Sequence, residues 1–239
     1  MAASAGSVSA LGLYQEPAPW YDPTFADTTL AFGTGASATT GTSRAALFHL
    51  GLAPIQRRSF RFAVTWSYVF LRSTETPAWG VGDPKVFVEA PLLRRAAVRL
   101  SLEGAARLPA SKASLFPYAF GGQELELLGI LAVPALGLHL GGGRVFTEPP
   151  GDSSLTSADV PHATHAWVLL TGKAAGWTGQ LRADALVFEL EGHARWLYEA
   201  RVLRGDPHRF VTRVAAKAEA GPDRIFDAAV EIGFVTALR

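Results

Sequence analysis

The residues of this chain able to do chemistry are mostly arginines and glutamates recurring at intervals of two. Arg61, Lys85, Glu89, Arg99, Glu103, Arg107, Arg195, Glu199, Arg201, Arg213, Lys217, Asp227 and Glu231 all fall on the polar side of alternating runs. Side chains two apart on an extended backbone share a face. These groups are therefore spaced to pair with one another across a narrow interior, or to select solutes by sign. His49 and His139 share that parity, which points to membership of the same polar network rather than to catalysis.

Other constellations carry less. His162-Ala-Thr-His165 brings two imidazoles close in sequence. A spacing of three in a strand sends them to opposite faces, which disfavours one shared metal, so both read as loop histidines. Ser43 or Ser59 near His49, and Ser101 near His139, are the Ser/His combinations a lipid-modifying barrel enzyme needs. No nucleophile motif surrounds them. Gly33-Thr-Gly35 and Gly141-Gly142-Gly143 do not match a dinucleotide loop, and no phosphate-binding Gly-Lys-Ser/Thr element occurs. These glycines read as turns or closely packed strands. No catalytic residue, metal ligand or cofactor is assigned.

The elements that must position the charges are strands. Ser59 to Leu71 sets Phe60, Phe62, Val64, Trp66, Tyr68 and Phe70 on one parity and Ser59, Arg61, Ala63, Thr65, Ser67 and Val69 on the other. Period two is the side-chain period of a β-strand. About 9–11 tilted strand residues cross a bilayer, so the run is long enough to span one. Ala96 to Leu108 repeats the pattern, with Val98, Leu100 and Leu102 opposing Arg99, Ser101 and Glu103. Further runs are expected at 28–33, 44–52, 81–92, 124–133, 136–146, 164–171, 178–191 (with a bulge near Leu186 to Phe188), 195–203, 209–218 and 225–238. In the last of these, Phe226, Ala228, Val230, Ile232 and Phe234 share one side.

Connections supply the topology. Residues 34–43, 72–80, 109–123 and 148–163 read as long, and 53–57, 92–95, 134–135 and 172–177 as short. Alternating long and short connections are the mark of up-and-down outer-membrane barrels. The predicted fold is all-β: an up-and-down antiparallel transmembrane β-barrel of about twelve strands over residues 25–239, preceded by an irregular N-terminal segment, residues 1–24.

Composition fits that reading. Hydrophobic residues make up 49% and charged residues 18% of the 239, yet no run of about 18 uncharged apolar residues exists to form a membrane helix. The polar parity holds Arg/Glu pairs among Ala, Ser, Thr and Gly, which suits a barrel lumen better than a soluble exterior. The apolar parity is almost free of charge, as expected when Arg or Lys at mid-bilayer costs ~2–4 kcal/mol. Phe60 to Phe70 should thus face lipid. A charge at Val64 should block membrane assembly, and one at Thr65 should be tolerated. Trp66, Tyr68, Trp79, Trp167, Trp177, Trp196 and Tyr198 lie near the ends of runs, as interfacial girdles do.

The net charge of +1 does not support nucleic-acid binding, and the absence of cysteine excludes disulfides and thiolate metal sites. The first ten residues have neither a basic nor an apolar signal region. They read as a mature chain whose signal peptide has been removed.

Trp79-Gly80-Val81-Gly82-Asp83-Pro84 opening a strand, Phe120-Gly121-Gly122-Gln123 before a strand pair, and the Pro134 turn between two apolar strands resemble elements of a bacterial outer-membrane family, the "MetA-pathway of phenol degradation" transporter-like barrels. The resemblance implies an outer-membrane location, the lipid bilayer as partner, and passage or binding of hydrophobic small molecules. It assigns no functional residue. Two other roles fit the same barrel: a non-transporting anchor or subunit of an envelope complex with other envelope proteins, and a lipid-modifying enzyme.

Overall fold

A computed structural model of the chain describes residues 30–40, 44–57, 60–72, 77–110, 122–148, 162–189, 192–206, 210–222, 224 and 226–238. The expected leader, residues 1–24, and Phe120-Gly121 of the second motif lie outside the described residues. The strands are β1 (Leu30–Thr40), β2 (Arg44–Arg57), β3 (Phe60–Arg72), β4 (Pro77–Val81), β5 (Lys85–Arg94), β6 (Arg99–Arg107), β7 (Gln123–Val133), β8 (Leu138–Glu148), β9 (Ala163–Ala174), β10 (Trp177–Phe188), β11 (Ala194–Asp206), β12 (Phe210–Ala220) and β13 (Ala228–Leu238).

Strands adjacent in sequence pair antiparallel, except β4 and β5, and β1 pairs with β13, from Leu30↔Leu238 to Thr40↔Ala228. The sheet therefore closes on itself, which removes the unpaired edges an open sheet would expose. β4 and β5 pair in line along the same edge of β3, so the barrel has twelve staves. The break between them is Gly82-Asp83-Pro84. Pro84 has no N–H to give the ladder. The chain is held there by Gly82 N–H donating to Ser67 O at 2.8 Å, and Leu108 N–H donating to Pro84 O at 2.9 Å. The fully buried Asp83 accepts from Ala110 N–H at 2.9 Å, tying down the start of the connection after β6.

Several boundaries differ from expectation. The first connection is short, 41–43, because Ala36 to Thr40 continue β1 against Ala228 to Ile232. Small alternating residues without proline do not stop a paired strand. Residues 53–57 extend β2 rather than forming a turn, and a register shift between Leu52 and Ile55 absorbs Pro54. Residues 77–80, expected as loop, belong to β4. The bulge expected near Leu186 to Phe188 is absent, since register runs unbroken from Trp177↔Arg204 to Val187↔Ala194. The apparent parity slip has another cause. Leu186 and Phe188 face inward with Asp184, where the interior itself turns apolar. Phe226 precedes β13 and is buried, so it does not share the outer side with Val230 and Ile232. Asp227 sits in an exposed connection beside Arg224, not on a polar strand face.

One end of the barrel holds the connections 58–59, 95–98, 134–137, 175–176 and 207–209, together with the Leu30 and Leu238 ends of the sheet. The other end holds 41–43, 73–76, 108–122, 149–162, 189–193 and 221–227. The two longest connections thus share one end. At the opposite end, β9 and β10 are joined by Ala175-Gly176 with φ of 48° and 79°, a two-residue hairpin whose twist matches the strands.

Candidate functional site: the charged lumen

Polarity in this barrel is inverted. Along β10, Leu181 is 60% exposed while Asp184 is 1% exposed; along β13, Ile232 is 60% exposed while Glu231 is 1% exposed. Leu102, Leu125, Leu127, Val202, Val214 and Val230 are likewise exposed on the outside. On β3, Phe60, Phe62, Val64, Trp66 and Tyr68 are part-exposed and Phe70 exposed, opposite the buried Ala63, Thr65, Ser67 and Val69.

Ion pairs fill the interior. Lys85 Nζ on β5 reaches over β6 to Glu126 Oε2 on β7 at 2.9 Å. The other oxygen of Glu126 meets His165 Nδ1 on β9. His165 Nε2 lies 3.1 Å from Asp184 Oδ1 on β10, and Arg182 grips the same carboxylate through Nε at 2.8 Å and Nη2 at 2.6 Å. Five charged or titratable groups from four strands thus form one chain along the wall. Further round, Arg201 forks onto Glu199 with two bonds of 3.0 Å and donates to Gln180 Oε1 at 3.0 Å. Lys217 Nζ lies 2.7 Å from Glu231 Oε2, and Arg213 pairs with the same carboxylate. Arg195 pairs with Glu219 at 3.2 Å, and Arg107 faces Glu124 at 3.6 Å. A buried charge is costly unless paired and hydrogen-bonded, so each of these groups depends on its partner.

The glycines of β8 make room for this. Gly143 is the register partner of His165, and Gly141 that of Trp167. A Cβ on Gly141 would lie 2.1 Å from the Trp167 ring, and one on Gly143 would lie 1.8 Å from Leu127 O. Bare backbone at these positions lets the indole lie flat on the wall and leaves no side chain between His165 and Glu126. Arg182 stacks over the Trp167 ring at 5.0 Å, which locks the indole between strand and guanidinium.

Of the charges singled out from sequence, Lys85, Glu103, Arg107, Arg195, Glu199, Arg213 and Glu231 are buried in the interior. Arg61 and Glu89 form a part-buried pair at 3.0 Å. Arg99 and His139 stand at the lumen mouth on the short-connection end, the first exposed and the second part-buried. His49 lies on β2, but its side chain is outside the described residues. Ser101 is on β6 and His139 on β8, with β7 between them. His162 is not beside His165: its Nδ1 accepts from Thr147 N–H at 3.3 Å. Among the described residues no group of three His, Asp or Glu is placed to hold a metal.

Sequence reasoning missed Glu124, Glu126, His165, Arg182 and Asp184. The signal was present in Glu124-Leu-Glu-Leu-Leu, where two carboxylates share the parity of Leu128 and Ile130. A stretch rich in leucine hides which parity is inner when the interior carries leucine as well.

At the long-connection end the lumen changes character. Leu47, Val69, Leu71, Leu186, Phe188 and Phe226 pack together there with smaller residues from β2, β8, β9 and β13.

No family model matches the chain, and no curated protein matches it in sequence. Solved structures do match. An outer-membrane channel from Pseudomonas putida F1 superposes with a TM-score of 0.68 over 91% of this chain and 99% of its own, at 8% identity. The fold is that of an outer-membrane β-barrel. The KdgM porin follows the same path with a TM-score of 0.57 over 87% of this chain and 99% of its own, at 7% identity. Outer membrane phospholipase A from Escherichia coli reaches 0.50 over 87% of this chain and 92% of its own, at 9% identity. The shared architecture therefore hosts both channels and an enzyme.

Proposed function

We propose that the chain is an outer-membrane barrel that passes small solutes through its charged lumen. The observation that carries this reading is the inverted polarity of a closed barrel: exposed Leu, Val and Ile outside, and Arg, Lys, Glu and His inside. Soluble monomers rarely expose apolar patches larger than a few hundred Å², whereas a lipid-facing band is apolar by necessity. The end bearing the two longest connections then faces the exterior of the cell, and the end with the short turns faces the periplasm. The likeness to the channel and the porin supports the same role.

Hydrophobic solutes are the class proposed, in keeping with the family resemblance. The apolar cluster of Leu47, Val69, Leu71, Leu186, Phe188 and Phe226 supports this, because it offers a solute arriving at the long-connection end an apolar surface before the charges. Apolar constrictions of this kind gate water and ions by dewetting.

A second reading has its own support. Lys85, Glu126, His165, Asp184 and Glu231 are all nearly inaccessible to solvent, as in a barrel that anchors an envelope assembly without conducting. Planar-bilayer recording separates the two. The channel reading expects discrete single-channel steps from purified protein; silent bilayers, with protein shown to be inserted, favour the anchor.

A further inference from the structure

We infer that the lumen mouth at the short-connection end is a binding site for small organic anions. A cavity of about 410 Å³ opens there, walled by Arg99 at the start of β6, His139 on β8 and Lys173 near the end of β9, with the Pro134–Leu136 turn, Gly137 and Thr171 completing the wall. Among the described residues its titratable groups are all basic, and no carboxylate lines it. The floor is fixed, since Thr171 N–H donates to Gly137 O at 2.8 Å and Gly137 takes φ 59°, a conformation that a side chain would strain.

Pairing sets this site apart from the rest of the lumen. Arg182, Arg201, Arg213 and Lys217 each hold a carboxylate. Among the described residues Arg99 and Lys173 hold none, although both face the interior side of their strands, in line with Ser101 and Leu169. The surrounding rim adds to the field, with Arg94, Arg95 and Arg204 exposed at the same end. Cations converging on a concave, low-dielectric wall focus potential and concentrate anions. Rings of Arg and Lys select anions at pores. A carboxylate of about the size of benzoate fits the volume, with its charge against Arg99 and Lys173 and its body against Pro134 and Leu136. The biological use of the site rests on the channel reading, but occupancy does not require transport.

The test uses the full chain in a non-ionic detergent. Binding of sodium benzoate is followed by titration calorimetry or saturation-transfer NMR, beside benzyl alcohol, which has the same ring without the charge. The wild type should retain benzoate over benzyl alcohol. The R99S/K173S double variant should bind benzoate about tenfold more weakly, as expected for loss of charge-assisted contacts. A K173R variant should keep most of the affinity. Equal binding of the two probes by the wild type overturns the proposal, and so does undiminished binding by a folded double variant. If the double variant does not fold, the comparison of probes on the wild type still decides. Bilayer recordings separate this from the channel reading. Conductance without anion preference counts against the site alone, whereas benzoate binding without conductance counts against the channel alone.

Discussion

His165 on β9 and Gly143 on β8 are register partners, and the missing side chain of the glycine leaves the imidazole a clear path to Glu126 on β7 while its other nitrogen meets Asp184 on β10. One histidine thereby joins carboxylates whose strands are separated by the glycine's strand and by its own. Removing it leaves the two buried carboxylates with Lys85 and Arg182 as their charged partners among the described residues. Breaking a buried ionic set by deleting one member costs about 3–5 kcal/mol. His165→Leu should lower the urea midpoint of unfolding in detergent micelles accordingly. His165→Gln, which keeps a hydrogen-bonding group, should lose less. An unchanged midpoint for His165→Leu would mean that the chain of charges does not hold the wall.

The glycines themselves differ in a way that stability can read. Gly143→Val should abolish assembly, because even a Cβ lies 1.8 Å from Leu127 O. Gly172→Ala should be neutral to within about 1 kcal/mol, since nothing lies within 4 Å of a Cβ there. Heat-modifiable migration on a denaturing gel reports both; equal folding of the two variants contradicts the close approach.

Opposite faces of β3 should respond differently to charge. Val64→Lys puts an ammonium on the lipid side and should cost ~2–4 kcal/mol, visible as loss of insertion into liposomes. Thr65, expected from sequence to tolerate charge, is fully buried and opposite Lys85 in register. Thr65→Lys should therefore fail as well, by burying a second ammonium beside the first. Thr65→Ser should insert normally. Insertion of Val64→Lys at the wild-type level contradicts a lipid-facing Val64.

The hairpin between β9 and β10 offers a gain. Ala175 holds a left-handed conformation that costs a non-glycine residue roughly 1–2 kcal/mol. Asn tolerates it and is favoured before Gly in this turn. Ala175→Asn should raise the unfolding midpoint, and no change would mean that the turn is not left-handed at that position.

Much of the barrel is legible in sequence wherever one face is large and apolar and the other small or charged. β3 and β6 are of this kind, and their parities place Arg61, Glu103 and Arg107 on the inner side. Legibility fails where the inner face is itself apolar. Leu186, Phe188 and Phe226 line the lumen at one end, so polarity no longer reports direction and the sequence imitates a bulge. It fails again where structure depends on an absent side chain. Gly141-Gly142-Gly143 reads as a turn or a close packing, and nothing local says that an indole and an imidazole from β9 occupy the space. Nor does Pro54 announce that a register shift will carry β2 past it. Arg99 and Lys173, which hold no carboxylate among the described residues, stand out only once closure places β6 and β9 around the same mouth.

The central claim is that the apolar face of this barrel meets lipid and the charged face meets the lumen. Purification with and without detergent tests it most directly. The purified chain should fold only in detergent or a bilayer, migrating faster unheated than boiled on a denaturing gel. It should precipitate when detergent is withdrawn. A monomeric, β-rich protein that stays soluble in detergent-free buffer would contradict the account.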